Sequence, residues 1–248
     1  MKGMRRNLLL FLVCTIIFVF ISINARAQVE QGGFGSIYTG PYYQINASLQ
    51  KDLSSDKLMG KAFKGNLLVA NYGAEGFGVW KPGLVLGGNV NYSTTTSRAE
   101  GGSVTQNTTG LFASVGYRLI NTRHWLGFTY WGIGGFGASF KISNYGQQAF
   151  VVDKDSIIQG QSRKYTAGGM AFDFGIAVKY LVTNYTLKNL KKLKPMIGIN
   201  TGVSFFPAFQ KWQSTNSNAR IESFNTPFIM AVYARVTLGL GVFTNKEK

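Results

Sequence analysis

A two-residue alternation recurs along this chain, and it limits the possible folds more than any other feature. In residues 168–182, GGMAFDFGIAVKYLV, every second side chain is large and apolar, while those between are small or charged. A period of two is typical of a β-strand whose two faces meet different surroundings. The sequence therefore predicts an all-β protein.

Eight segments carry this pattern to some degree. The last one, residues 228–243, is the clearest, because Val236, Leu238 and Leu240 alternate with Arg235 and Thr237. In the fifth segment we assign the large side chains Leu126, Phe128, Tyr130, Phe136 and Phe140 to the outward face. The eight predicted strands are residues 37–50, 65–80, 83–93, 109–119, 125–142, 168–182, 195–209 and 228–243.

Two settings suit such strands: a soluble lipocalin-like barrel, or a membrane barrel whose apolar face meets lipid. The second face decides between them, because it consists mostly of Gly, Ala, Ser, Asn and Thr with single charges. A narrow polar barrel interior requires this composition. Charged residues make up only 15% of the chain, which also favours lipid. We therefore expect an antiparallel up-and-down transmembrane β-barrel of eight strands, with a soluble periplasmic binder as a lesser alternative.

The first 27 residues are predicted to be a signal peptide. Basic residues precede an uncharged apolar run, which is followed by Ala25-Arg26-Ala27. Cleavage is expected between Ala27 and Gln28, leaving residues 28–248 as the barrel domain. The one cysteine, Cys14, lies within the apolar run, so no disulfide is indicated.

The connections between the predicted strands support the barrel. An even number of strands places both termini in the periplasm, with short turns there and longer loops outside. The predicted turns near residues 81 and 121 are short, whereas the third, residues 183–194, is longer. The predicted outer loops are residues 51–64, 94–108, 143–165 and 210–227.

Several segments resemble the small eight-stranded outer-membrane barrels of Gram-negative bacteria, the OmpX/OmpW type. They are NARAQ, KPGLVLGGNVNY, TGLFASVGYRL, GGMAFDFGIAVKYLV and ARVTLGLGVF, which together sample nearly the whole mature chain. The resemblance lies in the pattern and not in a diagnostic motif. It implies an outer-membrane location and insertion by the assembly machinery, which reads a terminal aromatic residue. Here Phe243 is followed by five further residues.

Charged residues on the inward face are expected to pair with one another. Asp173 and Lys179 lie about 20 Å apart along one strand, so their partners must come from other strands. An isolated charge inside the barrel would be costly. We predict that Asp173 pairs with Arg235, and Glu75 with Arg118 and Lys179. The whole predicted interior network comprises Glu75, Asn89, Asn91, Arg118, Asp173, Lys179 and Arg235.

The chain carries a net charge of +16, and many of its cations fall in the predicted outer loops. For an exported protein this balance indicates anionic lipid or lipopolysaccharide phosphate, not nucleic acid. Arg163 and Lys164, just before the sixth strand, are the preferred lipopolysaccharide contacts. The protein is expected to be a monomer.

No pattern in the sequence indicates catalysis, a cofactor or a metal site. The chain lacks a G-x-S-x-G elbow, a P-loop and a His/Cys cluster. Its single histidine, His124, falls in a predicted periplasmic turn, far from where a lipid A-modifying enzyme would need it. We expect a structural or cell-surface interaction role. A narrow conduit for small solutes is the alternative, and a lipid A-modifying enzyme is a weaker one.

Overall fold

A computed structural model describes residues 29–53, 66–80, 82–99, 101–122, 124–152, 155–182, 193–216, 220–222 and 224–245. The predicted signal peptide and the bond between Ala27 and Gln28 lie outside these residues and stay predictions. The elements in chain order are β1 (Val29–Ile45), α1 (Ala47–Leu53), β2 (Asn66–Val79), β3 (Leu84–Ala99), β4 (Gly102–Asn121), β5 (Trp125–Asn144), β6 (Phe150–Val152), β7 (Asp155–Ile157), β8 (Ser162–Leu181), β9 (Leu193–Pro207), β10 (Gln213–Ser214) and β11 (Phe228–Asn245).

Eight of these strands form a closed antiparallel barrel. Their order is β8-β5-β4-β3-β2-β1-β11-β9, and β8 also pairs with β9, so each of the eight has two neighbours. The chain closes the ring by pairing β1 with β11, from Val29 opposite Asn245 to Ile45 opposite Met230. The predicted fold, an all-β up-and-down barrel of eight strands, is confirmed.

The first strand begins and ends earlier than predicted. It starts at Val29 and ends at Ile45, and residues 47–50 belong instead to α1. Asn46 ends the strand because its side-chain oxygen accepts a hydrogen bond from the backbone N–H of Leu49 at 3.3 Å, which caps the helix. Within the described part of the chain, no helix is both long and apolar enough to span a membrane.

The predicted loop 94–108 is a continuation of the sheet. β3 and β4 remain paired up to Ala99 opposite Gly102, so only residues 100–101 connect them. β4, β5 and β8 are 20 residues long, about twice what a tilted strand needs to cross a bilayer. The outer parts of these strands therefore rise above the membrane as an extension of the β-sheet. Their polar composition had predicted a loop.

The predicted orientation of β5 is wrong. Its outward face carries Trp131 and Ile133, which are exposed. The interior of an eight-stranded barrel must be filled by side chains, and β5 supplies much of that volume. Five residues that the sequence predicts to face outward are instead buried inside the barrel: Leu126, Phe128, Tyr130, Phe136 and Phe140.

Two apolar clusters fill the ends of the barrel interior. The lower cluster lies at the end where β1 begins and β11 ends, and the upper cluster lies at the opposite end. The lower cluster consists of Phe34, Phe77, Val79, Val85, Leu126, Phe128, Tyr130, Ala177, Leu181, Met196 and Phe243. The upper cluster is larger and includes Tyr42, Leu49, Leu53, Phe112, Phe136, Phe140, Tyr165, Phe206, Trp212, Ile221, Phe224 and Ile229.

The outer wall of the barrel carries an apolar band. Large apolar side chains are exposed on all eight barrel strands, and Trp80, Tyr117 and Trp125 cluster toward the lower end. Aromatic rings favour the membrane–water interface, so these three mark the lower edge of the band. The band is visible in Ile37, Leu68, Leu86, Val90, Leu111, Ile133, Phe174, Ile176, Ile197, Ile199, Val236 and Leu238.

The closed ring predicts heat-modifiable gel mobility. Because no barrel strand offers an open edge at which unfolding starts, the protein should stay compact in cold mild detergent and run faster than after boiling. Electrophoresis of boiled and unboiled outer-membrane fractions measures this. Identical mobility of the two samples, with the protein in the soluble periplasmic fraction, would contradict the membrane barrel.

Candidate functional site in the barrel centre

A layer of polar and charged side chains lies between the two apolar clusters. It contains Glu75 on β2, Asp173 and Lys179 on β8, and Arg235 on β11, all of them buried. Asp173 and Lys179 share the inward face of β8 with Ala171 and Ala177, as the two-residue period dictates. Both ends of this layer are covered by apolar side chains, so its charges are shielded from water.

Glu75 and Lys179 form a salt bridge across the barrel. The Glu75 carboxylate also accepts hydrogen bonds from Ser36 Oγ at 2.6 Å and from Asn200 Nδ2 at 2.6 Å. Lys179 Nζ also donates to Thr237 Oγ1 at 2.8 Å. Removing two charges from water is favourable only when such additional hydrogen bonds satisfy them, and here both partners are satisfied.

Asp173 is held by neutral donors. Its carboxylate accepts hydrogen bonds from Ser204 Oγ at 2.8 Å, Tyr233 OH at 3.0 Å and Asn89 Nδ2 at 3.3 Å. The Tyr233 hydroxyl is in turn 2.7 Å from that of Tyr130. β9, β11, β3 and β5 thus all contribute to one hydrogen-bond network around a carboxylate of β8.

Arg235 lies against aromatic rings instead of a carboxylate. Its guanidinium carbon is 3.7 Å from the ring centroid of Tyr233, 4.6 Å from that of Tyr38 and 6.0 Å from that of Tyr42. Cation–π attraction of this kind strengthens where water is excluded. Among the described residues no salt bridge joins Arg235 to Asp173, so the predicted direct pair is replaced by a link through Tyr233, which contacts both.

Glycines on the inward face make room for the central tyrosines. A Cβ at Gly175 would lie 2.5 Å from the Tyr130 hydroxyl, and one at Gly202 would lie 2.5 Å from the Tyr233 hydroxyl. The small residues that alternate with large ones in the sequence are therefore not evidence of an open lumen. They accommodate tyrosine side chains that cross from other strands.

The other predicted network residues occupy different levels of the interior. Asn89 belongs to the Asp173 network. Asn91 is buried, and its Nδ2 has no hydrogen-bond partner among the described residues. Arg118 is also buried, opposite Phe128 near the lower end of β4. Lys179, and not Arg118, forms the salt bridge with Glu75.

Several residues of the site were not singled out from the sequence. Alternation alone would have placed Asn200, Ser204 and Tyr233 on inward faces beside Asp173. No sequence signal distinguished them from other polar inward positions, because the register of β8 against β9 and β11 decides which of them meet. The missed residues are Ser36, Tyr38, Tyr130, Asn200, Ser204, Tyr233 and Thr237.

The two predicted lipopolysaccharide contacts lie on opposite faces of β8. Arg163 is opposite Ile142, which is fully buried, so it lies on the inward face. Lys164 is exposed and lies opposite Lys141, which is also exposed. Neighbouring residues of a strand always point to opposite faces, so Arg163 and Lys164 cannot act together on the outer wall.

The centre of the barrel offers no arrangement for chemistry among the described residues. They contain no group of three or more His, Cys, Asp or Glu side chains that could hold a metal ion. His124 lies in the connection between β4 and β5, where its ring stacks on Tyr180 at 6.0 Å. The described interior contains paired charges, amides and hydroxyls, and it is closed at both ends.

A closed antiparallel barrel with an apolar outer band and a polar centre defines a transmembrane β-barrel. Single-chain barrels with an even number of strands are typical of bacterial outer membranes, so this architecture indicates an outer-membrane location.

Comparisons with known proteins give similar solved structures but no matching family or curated protein. No protein-family model matches the chain, and no curated protein matches it. The structure is similar to that of Ail, the attachment invasion locus protein of Yersinia pestis, with 11% identity and a TM-score of 0.40 over 86% of this chain and 99% of that one. It is also similar to Neisserial surface protein A, with 9% identity and a TM-score of 0.41 over 86% of this chain and 97% of that one. A third similar structure is that of the outer membrane protease OmpT from Escherichia coli, with 9% identity and a TM-score of 0.36 over 89% of this chain and 99% of that one. The assignment to the barrel class rests on this chain's own strand pairing and surface.

A double-mutant cycle at Glu75 and Lys179 should show strong coupling. Glu75→Gln or Lys179→Met leaves a buried charge unpaired, so each should lower the free energy of unfolding by about 3–5 kcal/mol. The double variant should lose less than the sum of the two, because neither charge remains. Urea unfolding in lipid vesicles gives the free energy of unfolding of the wild type, the two single variants and the double variant.

Lys164→Met serves as the matched control, since it makes the same substitution on the outward face of the same strand. It should change the free energy of unfolding by no more than about 0.5 kcal/mol. Additive losses at Glu75 and Lys179 would mean that the two side chains do not interact in the folded barrel.

Proposed function

We propose that the protein is a sealed, non-catalytic outer-membrane barrel that acts through contacts at the cell surface. The observation that carries this proposal is the filled interior. Three successive layers, the lower cluster, the charged centre and the upper cluster, occupy the barrel from end to end. A barrel that is closed in this way supports the residues that it presents outside.

The upper end is closed by the chain that connects the strands. Trp212, in the connection between β9 and β11, is fully buried, and its ring packs edge-on against Phe140 with centroids 4.7 Å apart. β10 adds to β8 by pairing Gln213 with Thr166. Packing of this kind fixes the outer connections on the barrel and gives them a defined surface.

A tie between two outer connections stabilises this cap. The Asp52 carboxylate, at the end of α1, accepts hydrogen bonds from the backbone N–H of Asn225 at 2.9 Å and from its side-chain Nδ2 at 2.6 Å. Leu49 and Leu53 of α1 are buried in the upper cluster. The helix is thus held at the barrel mouth by packing beneath it and by hydrogen bonds beside it.

The outer end also exposes large apolar side chains above the lipid-facing band. Tyr145, Val151 and Ile158 in the connection between β5 and β8 are more than half exposed, and Phe209 after β9 is 74% exposed. A contiguous apolar patch marks a contact site, whereas apolar side chains that are scattered singly are common on any protein surface. We propose that these four side chains supply apolar contacts in binding at the cell surface.

The alternative, a conduit for small solutes, would use the central polar layer. The Glu75–Lys179 pair and Asp173 would then line the path. Passage would require moving the aromatic side chains of both clusters, so the filled interior favours the sealed barrel. A lipid A-modifying enzyme has less support, because His124 lies at the lower end. Mass spectra of lipid A from cells with and without the protein test this alternative, and unchanged acylation would rule it out.

Planar-bilayer recording tests the sealed interior. The wild-type protein should show no reproducible openings, whereas a porin in the same bilayers should conduct. Trp212→Ala should also stay closed, because the lower cluster and the charged centre remain in place beneath it. Reproducible openings of the wild type that Asp173→Ala or Arg235→Ala abolishes would overturn the sealed barrel and favour the conduit.

Cysteine labelling tests whether the upper end faces the outside of the cell. In a Cys14→Ala background, Val151→Cys or Phe209→Cys should react with a membrane-impermeant maleimide on intact cells, since both side chains are exposed. Pro82→Cys, exposed in the β2–β3 turn at the lower end, is the matched control and should react only after the outer membrane is permeabilised. The reverse pattern would place the cap in the periplasm.

A further inference from the structure

Two lysines face each other on the outer wall of the barrel. Lys141 on β5 is directly opposite Lys164 on β8, and both side chains are exposed. Residues directly opposite each other on neighbouring strands have Cβ atoms about 5 Å apart. The pair therefore places two positive charges side by side on the outward face, above the lipid-facing band.

This juxtaposition is unfavourable for the protein alone. Like charges that are directly opposite in a sheet destabilise it. Within the described residues neither lysine takes part in a salt bridge, and the two salt bridges found there join other lysines to Glu75 and Glu222. An anion bound between the two ammonium groups would remove the repulsion and gain two charge-assisted contacts.

The wall around the lysine pair suits a glycolipid. Two residues below it along the strands, Ser139 is opposite Thr166, and two residues further Gly137 is opposite Gly168. A Cβ at Gly137 would meet no atom within 4 Å, so the wall here is bare backbone open to its surroundings. Going down the wall, the lysines are followed by hydroxyl side chains, by flat glycine backbone and then by Met170, an order that matches phosphate, sugar and acyl chain.

Hydroxyl groups extend this surface sideways onto β3 and β4. Thr105 is opposite Lys141, and its Oγ1 lies 2.9 Å from that of Thr96. Thr94 Oγ1 donates a hydrogen bond at 2.6 Å to Asn107 Oδ1 on the same face. These exposed polar side chains offer donors and acceptors beside the lysines at the height of a saccharide.

The height of the lysine pair fits the saccharide region of the outer leaflet. Met170, opposite Gly135, is the last large apolar side chain on the outward face of β8 below the polar rows. Lys164 and Lys141 lie six residues beyond that row, which is about 15 Å along the membrane normal for a tilted strand. Phosphate groups on the inner saccharides of lipopolysaccharide occupy this region.

We propose that Lys141 and Lys164 together bind a phosphate group of lipopolysaccharide in the outer leaflet. This inference rests on the proposed cell-surface role and names one partner for it. It replaces Arg163 with Lys141 as the partner of Lys164. A membrane glycolipid is favoured over a soluble polyanion because the site lies on the side wall, continuous with the lipid-facing surface, and not on the top of the cap.

The test compares binding of the folded, full-length protein in nanodiscs to fluorescent lipopolysaccharide that carries core phosphates. Each lysine near an anionic membrane surface contributes about fivefold in affinity, so Lys141→Gln with Lys164→Gln should weaken binding about 30-fold. Arg163→Gln with Lys211→Gln is the matched control, because it removes the same charge from the same end of the barrel. It should change affinity less than about threefold. Dephosphorylated lipopolysaccharide should bind the wild type as weakly as intact lipopolysaccharide binds the lysine double variant.

Three results would overturn the proposal. Equal losses in both double variants would mean that net charge alone attracts the lipid. Unchanged binding in the lysine double variant would mean that Lys141 and Lys164 do not form the binding site. Undiminished binding of dephosphorylated lipopolysaccharide would mean that the ligand is not a phosphate. None of these readouts depends on conductance or on surface labelling, so the proposed function can stand if this inference fails.

Thermal unfolding adds a readout that a merely structural role would not give. In detergent free of lipopolysaccharide, Lys164→Gln should unfold at the same or a higher temperature than the wild type, because the repulsion is gone. With phosphorylated lipopolysaccharide added, the wild type should gain more stability than the variant, because loss of one lysine weakens binding about fivefold. A loss of stability in lipid-free detergent would indicate that Lys164 supports the fold instead of a ligand.

Discussion

The pairing of β1 with β11 is the interaction on which the rest of the structure depends. Lipid offers the backbone no hydrogen-bond partners, so each spanning strand needs a neighbour on both sides. Closing the ring with eight strands fixes its diameter, and the interior is then just wide enough for side chains. Every inward residue must therefore fit among seven other strands, and every inward charge must find its partner there.

The interior meets these demands in layers. Aromatic side chains fill both ends, and between them Glu75 and Lys179 satisfy each other while Asp173 is held by hydroxyl and amide donors. Arg235 is stabilised by the rings of Tyr233 and Tyr38. Because the apolar clusters exclude water, these polar contacts are stronger than the same contacts would be in water. A filled barrel directs the search for function to the outer rim.

The long strands connect the membrane-embedded part to that rim. β5 and β8 pass from an aromatic contact between Trp131 and Phe174, through bare glycine backbone, to the opposed pair Lys141 and Lys164. The same two strands carry Phe140 and Tyr165 inward, where the two rings stack on each other and Phe140 packs against Trp212 of the cap. The outer ends of these strands thus carry a buried face that fixes the cap and an exposed face that is suited to an anionic ligand.

The sequence by itself determined the class of fold, the number of barrel strands and the inward direction of Asp173, Lys179 and Arg235. These follow from a local rule, since neighbouring side chains of a strand point to opposite faces. Only the tertiary structure decided which way β5 faces, that Arg235 meets tyrosines, and that Lys164 is opposite Lys141. Each of these depends on the register between strands that are distant in sequence and on the volume that a ring of fixed diameter must fill. Alternation within one strand determines neither the register between strands nor the volume to be filled.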